Sequence, residues 1–309
     1  MVKFKKSRIL VLGDAMIDEY MCGFCDRLSP EASAVPVVEI TQRFFRLGGA
    51  SNVAANLRSL GMEVWLGCVI GIESGKFLTM VKDMKIHSCI DTSAYRKTTI
   101  KTRIISGNRH IVRVDQEDRT VYTEHDYSKF PNDIDAVVFS DYAKGYLSPQ
   151  FCKDIINKYK NKIIVVDPKT YDYMKFRGCT VFKPNKKELF MFAGEIKQGC
   201  DSLTEAQSLV YSRLQPQYQV TTLGRSGMSM VSADNTIKLI PNYSNFEAID
   251  ITGAGDTVSA VLTVALCSGL DIYRSIDLAS FAADIKVRHL GNYSVTLDDF
   301  KSYMPRKLD

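Results

Sequence analysis

The feature that most constrains this chain is an alternation. Short runs rich in β-branched and apolar residues are separated by segments whose apolar positions recur with a helical period. Ile9 to Leu12, Val64 to Ile70, Ala136 to Ser140, Ile163 to Asp167, Thr180 to Lys183 and Gln219 to Leu223 read as buried strands. Between the first two, Ala50, Val53, Ala54, Leu57 and Leu60 share one helical face, and Gly61 supplies a stop. Strands without polar alternation, joined through helices, imply a mainly parallel sheet covered by helices on both faces, so the expected class is α/β. Two stretches depart from this pattern: residues 33–46, with Ala34-Val-Pro-Val-Val-Glu-Ile40, and residues 98–114, with Thr99-Ile-Lys-Thr-Arg-Ile-Ile105 and His110-Ile-Val-Arg-Val114. Both read as antiparallel strands of a small second sheet, suited to a lid or an association surface.

Length and composition narrow the class. The 309 residues give room for one large domain or two smaller ones, and 45% hydrophobic with 24% charged residues excludes a disordered or fibrous chain. The net charge of +5, from 40 basic and 35 acidic residues, is spread along the chain; it suits an anionic small molecule better than nucleic acid. The basic stretch Met1 to Arg8 is followed only by Ile9-Leu-Val-Leu12 before Gly13 and Asp14, too short for a secretory signal. The apolar stretch from Val258 to Leu266 is about half of what a bilayer span needs, so no membrane segment is expected. Eight cysteines without dense spacing suit reduced thiols in the cytoplasm. Cys22-Gly-Phe-Cys25 has the spacing of a redox or zinc pair, but no second pair completes a zinc site, and Gly23 and Asp26 read as a turn rather than a helix start. Incidental thiols are the expectation.

The chemistry concentrates in Asp250-Ile-Thr-Gly-Ala-Gly-Asp-Thr257, which leads into the helical run from Val258 to Leu266. Gly253, Ala254 and Gly255 let backbone amides approach an anion at a helix N-terminus, where the dipole favours phosphate. Asp256 beside such a cradle is wrong for anion binding alone. It is right for a base that accepts a hydroxyl proton during phosphoryl transfer, although a plain helix cap would use the same residue.

This octet resembles the signature of the ribokinase (PfkB) family of sugar and nucleoside kinases. Gly48-Gly-Ala-Ser-Asn52, opening the helix that runs to Leu60, resembles that family's other signature, about 200 residues earlier. Gly13-Asp14 with Asp18, Asp141-Tyr-Ala-Lys-Gly145, Asp167-Pro-Lys169 and Lys183-Pro-Asn-Lys-Lys-Glu188 fill the interval, so the resemblance covers essentially the whole chain. It implies a ribokinase-like fold: one kinase domain over residues 1–309, with a central mainly parallel sheet and a small antiparallel β lid near 19–46 and 98–114. Gly13-Asp-Ala-Met-Ile-Asp18, Arg27-Leu-Ser-Pro-Glu-Ala32, Val35-Pro-Val-Val38 and Ser140-Asp-Tyr-Ala-Lys-Gly145 resemble the branch of bacterial heptose-7-phosphate kinases. That resemblance implies ATP-dependent phosphorylation of the anomeric hydroxyl of D-glycero-D-manno-heptose 7-phosphate to the 1,7-bisphosphate, for lipopolysaccharide core synthesis. Members of the branch are often fused to a nucleotidyltransferase. No H-x-G-H motif occurs here, so a stand-alone kinase or a kinase portion is expected.

Carried over by position, the resemblance implies Asp256 as base and Gly253, Ala254 and Gly255 as the hole for the transferred phosphoryl. Asn185 and Glu188 resemble an Asn-x-x-Glu motif that organises Mg²⁺ and the ATP phosphates; a solvated helix start is the local alternative. Thr222, Gly224 and Gly227 resemble a nucleotide-phosphate turn, although a plain hairpin would read the same. Asp14, Asp18, Gly48, Gly49 and Asn52 are expected at the sugar, with Asp14 as an ordinary turn residue the alternative. Arg103, Arg109, Arg113, Lys144 and Lys169 are candidates for its phosphate. Asp250 and Thr252 resemble the start of a monovalent-cation loop, which implies K⁺. Gly71-Ile-Glu-Ser74 and Asp284 depart from the family pattern, and the second of these bears on the adenine side. The lid strands imply a homodimer.

Overall fold

The computed structural model describes residues 3–305 apart from 108, 170–171, 235 and 244–247. Position 108, within the second lid segment, and both ends of the expected 1–309 domain therefore lie outside the described residues. The chain runs through β1 (Arg8–Gly13), β2 (Ala15–Leu28), β3 (Pro36–Gly49), α1 (Ala50–Ser59), β4 (Glu63–Gly67), β5 (Val69–Gly71) and α2 (Gly75–Asp83). It continues through β6 (His87–Ser88), β7 (Asp91–Ser93), β8 (Thr99–Ser106), β9 (Arg109–Gln116), β10 (Ala136–Ser140), α3 (Pro149–Lys158), β11 (Ile163–Asp167) and β12 (Val181–Phe182). It closes with α4 (Lys186–Ile196), α5 (Leu203–Leu214), β13 (Tyr218–Thr222), β14 (Met228–Val231), β15 (Ile237–Ile240), α6 (Ala254–Cys267) and α7 (Ile272–Lys286).

The main sheet has nine strands in the order β15-β14-β13-β12-β11-β10-β1-β4-β6, parallel from β13 to β6 and antiparallel at its β14–β15 edge. Its central strands read as unbroken apolar runs because both faces are covered. Ile9 and Val11 pack with α1, α6 and α7, whereas Leu10 and Leu12 pack with α3, α4 and α5. Each such Val, Leu or Ile contributes about 1.5–3 kcal/mol on burial, so the alternation that predicts the fold also supplies its core. The expected strand from Val64 to Ile70 divides: β4 pairs with β1, while β5 leaves to pair with β7 in a two-stranded sheet.

The second sheet has the order β3-β2-β8-β9. β2 with β3 and β8 with β9 form the expected antiparallel hairpins, and a parallel β2–β8 pairing from Met16–Thr99 to Gly23–Ser106 joins them. One expectation is corrected here. Cys22-Gly-Phe-Cys25 lies within β2, not in a turn. Gly23 and the residues after Phe24 mark register shifts against β3, where a Cβ on Gly23 would meet the Glu39 carbonyl at 1.9 Å. Glycine there serves a bulge. All eight cysteines are free thiols.

Candidate active site

Parallel strands deliver their carboxyl ends to one edge of the sheet. Asp14 follows β1, Asp141 and Tyr142 follow β10, Asp167 ends β11, and Lys183 follows β12. Helix α6 starts at the same edge: a Cβ on Gly255 would lie 3.7 Å from both the Asp167 carboxylate and the Lys183 ammonium. Gly253 is its N-cap, at φ 78°, and a Cβ there would lie 2.7 Å from Asn52 Nδ2 and 2.8 Å from Asn292 Oδ1. Only glycine fits. Among the described residues no side chain caps α6. The Ala254 N–H donates to the Ile251 carbonyl at 3.2 Å, which leaves the N–H groups of Gly255 and Asp256 as orphan donors of the first turn.

Asp256 does not cap the helix. It is buried, 3% exposed, with Oδ1 accepting from the Tyr142 hydroxyl at 2.7 Å and Oδ2 from Asn52 Nδ2 at 2.6 Å. Burial, and then the charge of Asp167, push its pKa up to about 7 against the pull of those two hydrogen bonds. A carboxylate poised at neutral pH suits a general base. Asn52, expected at the sugar, is instead turned to Asp256 and is itself contacted by Asn56, whose Nδ2 donates to the Asn52 carbonyl at 2.9 Å.

Asp14 is also reassigned. Its Oδ2 accepts from the backbone N–H of Tyr142 and Lys144, each at 2.9 Å, and its Oδ1 from that of Tyr146 at 3.0 Å. With its oxygens bound to backbone it folds the 142–146 turn that aims Tyr142 at Asp256, and it is not among the residues that line the cleft. Burial, with Asp141 nearby, raises its pKa. Asp18 does face the cleft, buried between an ion pair with Arg103 and the Asn292 amide, whose Nδ2 donates at 2.7 Å. Gly48 lets Asp18 approach, since a Cβ there would lie 2.2 Å from Asp18 Oδ2; Gly49 lines the cleft.

The cleft holds about 300 Å³ between Asp256 and the lid, and Lys101, Arg103, Arg113, Lys144 and Lys169 line it. Arg109 does not; it lies on the exposed edge strand β9. Glu117 balances part of this charge, bonded to Lys101 at 2.7 Å and to Lys144. Although burial opposes it, these ammonium groups hold the Glu117 pKa down to about 2.

Asn185 and Glu188 form a reciprocal capping box on α4: Glu188 N–H donates to Asn185 Oδ1 at 2.9 Å and Asn185 N–H to Glu188 Oε2 at 2.8 Å. Glu188 Oε1 stays toward the cleft, 3.2 Å from Lys169 Nζ, and burial together with Asp167 raises its pKa. Thr222 is bridged to Asn185. The turn beyond it, with Gly224 at φ 60° and Gly227 at φ 90°, therefore lies beside the same helix start. Asp284 on α7 is paired with Arg288. Asp250 and Thr252 are joined to each other, Thr252 N–H donating to Asp250 Oδ1 at 2.8 Å.

Tyr142, Asn292, Lys183 and Asp167 are site residues that the sequence reading did not single out. Tyr142, Lys183 and Asp167 lie inside segments noted for their family wording, and that was the available signal. Asn292 has none: its Oδ1, buried beside Gly253 without a hydrogen-bond partner among the described residues, is defined by the fold alone.

A doubly covered parallel sheet with a buried carboxylate at a helix start, orphan amides beside it and a cationic cleft is the setting of a phosphotransferase that acts on an alcohol group. The chain belongs to the pfkB family of carbohydrate kinases, whose model matches residues 6–298. It is 39% identical over 314 residues to the bifunctional protein HldE of Campylobacter jejuni subsp. doylei, an alignment that covers 97% of this chain and 65% of that protein. The chain thus spans about two thirds of the length of this curated relative. Among solved structures, Arabidopsis thaliana ribokinase complexed with ribose and ATP superposes with a TM-score of 0.71 at 15% identity, covering 93% of this chain and 94% of that one. Phosphofructokinase-2 of Escherichia coli in complex with potassium gives 0.74 at 15% identity, covering 95% and 96%.

Proposed function

We propose that this chain is an ATP- and Mg²⁺-dependent kinase that phosphorylates the anomeric hydroxyl of D-glycero-D-manno-heptose 7-phosphate, giving the 1,7-bisphosphate for lipopolysaccharide core or related glycan synthesis. The observation that carries this reading is Asp256: a buried carboxylate with a pKa of about 7, held by Asn52 and Tyr142 beside the orphan amides of α6. Asp256 would take the anomeric proton as that oxygen attacks the γ-phosphorus in line. The free amides of Gly255 and Asp256 would stabilise the charge on the transferred phosphoryl, whereas the Ala254 amide expected there is held by the Ile251 carbonyl. Five cationic residues lining one cleft favour a sugar that already carries a phosphate, and Asp18 and Asn292 Oδ1 are acceptors suited to its hydroxyls.

The donor set suits Mg²⁺. Asp167 and Glu188 are hard carboxylate ligands; burial and then the charge of Asp167 raise the Glu188 pKa, a repulsion that a divalent cation would relieve, and Mg²⁺ ordinarily takes one or two carboxylates with water and phosphate oxygens. Bound there, it would neutralise the ATP phosphates. Asn185 and the Thr222–Gly227 turn, beside Glu188, are the proposed nucleotide contacts.

The eight free thiols fit a cytoplasmic site of action, and among the described residues no helix is long and apolar enough to cross a membrane. The exposed Ile111, Val112 and Val114 on edge strand β9 favour a homodimer through the lid. Sedimentation as a monomer at micromolar concentration would refute that part.

The test of function is a screen of the purified chain with MgATP against heptose 7-phosphate, other sugar phosphates, free sugars and nucleosides. Product position would be read by ³¹P NMR. Anomeric phosphorylation of the heptose phosphate with the highest kcat/KM is expected. Preference for an unphosphorylated sugar or a nucleoside, or binding without turnover, would overturn the assignment.

A further inference from the structure

The loop that leads into the proposed anion hole is tied down by a buried ammonium group. Lys286, the last residue of α7, is fully buried. Its Nζ donates to the Asp250 carbonyl at 2.9 Å and to the His289 carbonyl at 3.3 Å. Burial pulls its pKa down to about 8 against the attraction of Asp250 and Asp256, so it is charged at neutral pH. The Asp250 carboxylate is equally committed: Oδ1 accepts from Thr252 N–H and Oδ2 from Gly291 N–H, both at 2.8 Å. The backbone N–H groups of Ile249 and Asp250 both donate to the Val287 carbonyl, at 2.8 and 3.1 Å. Loop 249–252 and the turn after α7 are thereby joined around one positive charge, at the carboxyl end of a helix where the dipole favours a cation.

The K⁺ implied for Asp250 and Thr252 does not fit this arrangement. A monovalent cation there would draw on the same oxygens, and each oxygen of Asp250 already has a partner, its carbonyl being held by a fixed cation. An ammonium group carries the charge of K⁺ and is close to it in radius. We propose that the Lys286 ammonium is the built-in occupant of the cation position in this loop, so that the turn from Asp250 to Gly253 is ordered without a bound monovalent ion. Lys286 is a positioning residue. It fixes Asp250, and three residues later Gly253 opens the helix whose amides are the proposed phosphoryl contacts. The proposal rests on the kinase reading for its consequence in turnover, but its structural half does not require turnover.

The experiment pairs two readouts. The thermal midpoint of the wild-type chain, without substrate, is measured in KCl and in tetramethylammonium chloride at equal ionic strength; in parallel, kcat and KM for ATP are measured in the same salts. No K⁺-specific stabilisation and a change in kcat of less than about twofold are expected, because nothing is left for the ion to bind. A K⁺-specific rise in midpoint, or strong activation of the wild type by K⁺, would overturn the proposal, and this arm needs no variant to fold. In Lys286→Met, kcat should fall by about 10- to 100-fold with little change in the KM for ATP, as expected when an amide hole is misplaced rather than lost. The same variant should gain a midpoint shift and a recovery of kcat with K⁺ or NH₄⁺ but not with Li⁺. Full activity of the variant without K⁺, or a loss that no cation restores in either readout, would overturn it. If no sugar is phosphorylated at all, the midpoint series still decides this proposal while the functional reading fails.

Discussion

Replacing Asp256 with asparagine keeps the shape of the side chain and removes its charge, so it separates catalysis from stability. Moving a carboxyl from 3.8 to about 7 on folding corresponds to about 4 kcal/mol at about 1.4 kcal/mol per pH unit, the penalty for holding the ionised form in the fold. The sign follows from which state holds the proton. Between about pH 4 and pH 7 the folded protein keeps a proton that the unfolded chain has released, so this group's contribution to stability falls as pH rises and is fully lost above about 7. Asparagine removes that slope but leaves one of the two donors, Tyr142 or Asn52, without an acceptor, at a cost of about 1–2 kcal/mol. The variant should therefore be about 2 kcal/mol more stable than wild type near pH 8, roughly 3 °C in Tm for a chain of 309 residues, with the advantage shrinking toward zero near pH 5. In the same protein kcat should fall by about 10²- to 10⁴-fold, the usual loss for a missing general base. Thermal scans from pH 5 to 9 and a coupled ADP-release assay measure both. A Tm difference that is the same at both ends of the pH range, or turnover close to wild type, would refute the reasoning.

Other expectations follow from the same geometry. In the wild type, kcat/KM should rise with pH through an inflection near 7 as Asp256 ionises; Tyr142→Phe removes a hydrogen bond to the ionised form, so its inflection should move higher, which a pH–rate profile reads directly. Gly253→Ala places a Cβ within 2.8 Å of Asn52 and Asn292 at a positive φ, and should lower stability by about 1–3 kcal/mol in a denaturant titration. Lys144→Met should raise the KM for the phosphorylated sugar by about tenfold or more while sparing that for ATP, and an unchanged sugar-phosphate KM would remove Lys144 from the phosphate contacts. Cys22→Ser with Cys25→Ser, both on bulged strand β2, should leave activity unchanged in assays with and without dithiothreitol.

The chain order of residues was enough to read the doubly covered sheet, because a parallel strand buried on both faces must be apolar throughout, as from Ala136 to Ser140 and from Ile163 to Asp167. It was also enough to mark Asp256 as a candidate: glycines that free backbone amides ahead of an apolar helix are a local pattern, although a carboxylate among them reads equally as a helix cap until its contacts are known. What α6 does with that carboxylate was decided only in three dimensions. Its partners Tyr142 and Asn52 lie 114 and 204 residues away, and Asn292 reaches Asp18 across 274. Asp14 and Lys286 carry the same lesson in opposite directions. Sequence wording assigned the first to a ligand and gave the second no role, whereas the fold spends Asp14 on the backbone of the 142–146 turn and brings the Lys286 ammonium to the carbonyl of Asp250. Local pattern reports propensity, burial and turn chemistry, since those depend on neighbours in the chain. Which polar group meets which, and how far burial shifts a proton, depends on contacts between distant segments that exist only once the sheet edge has assembled.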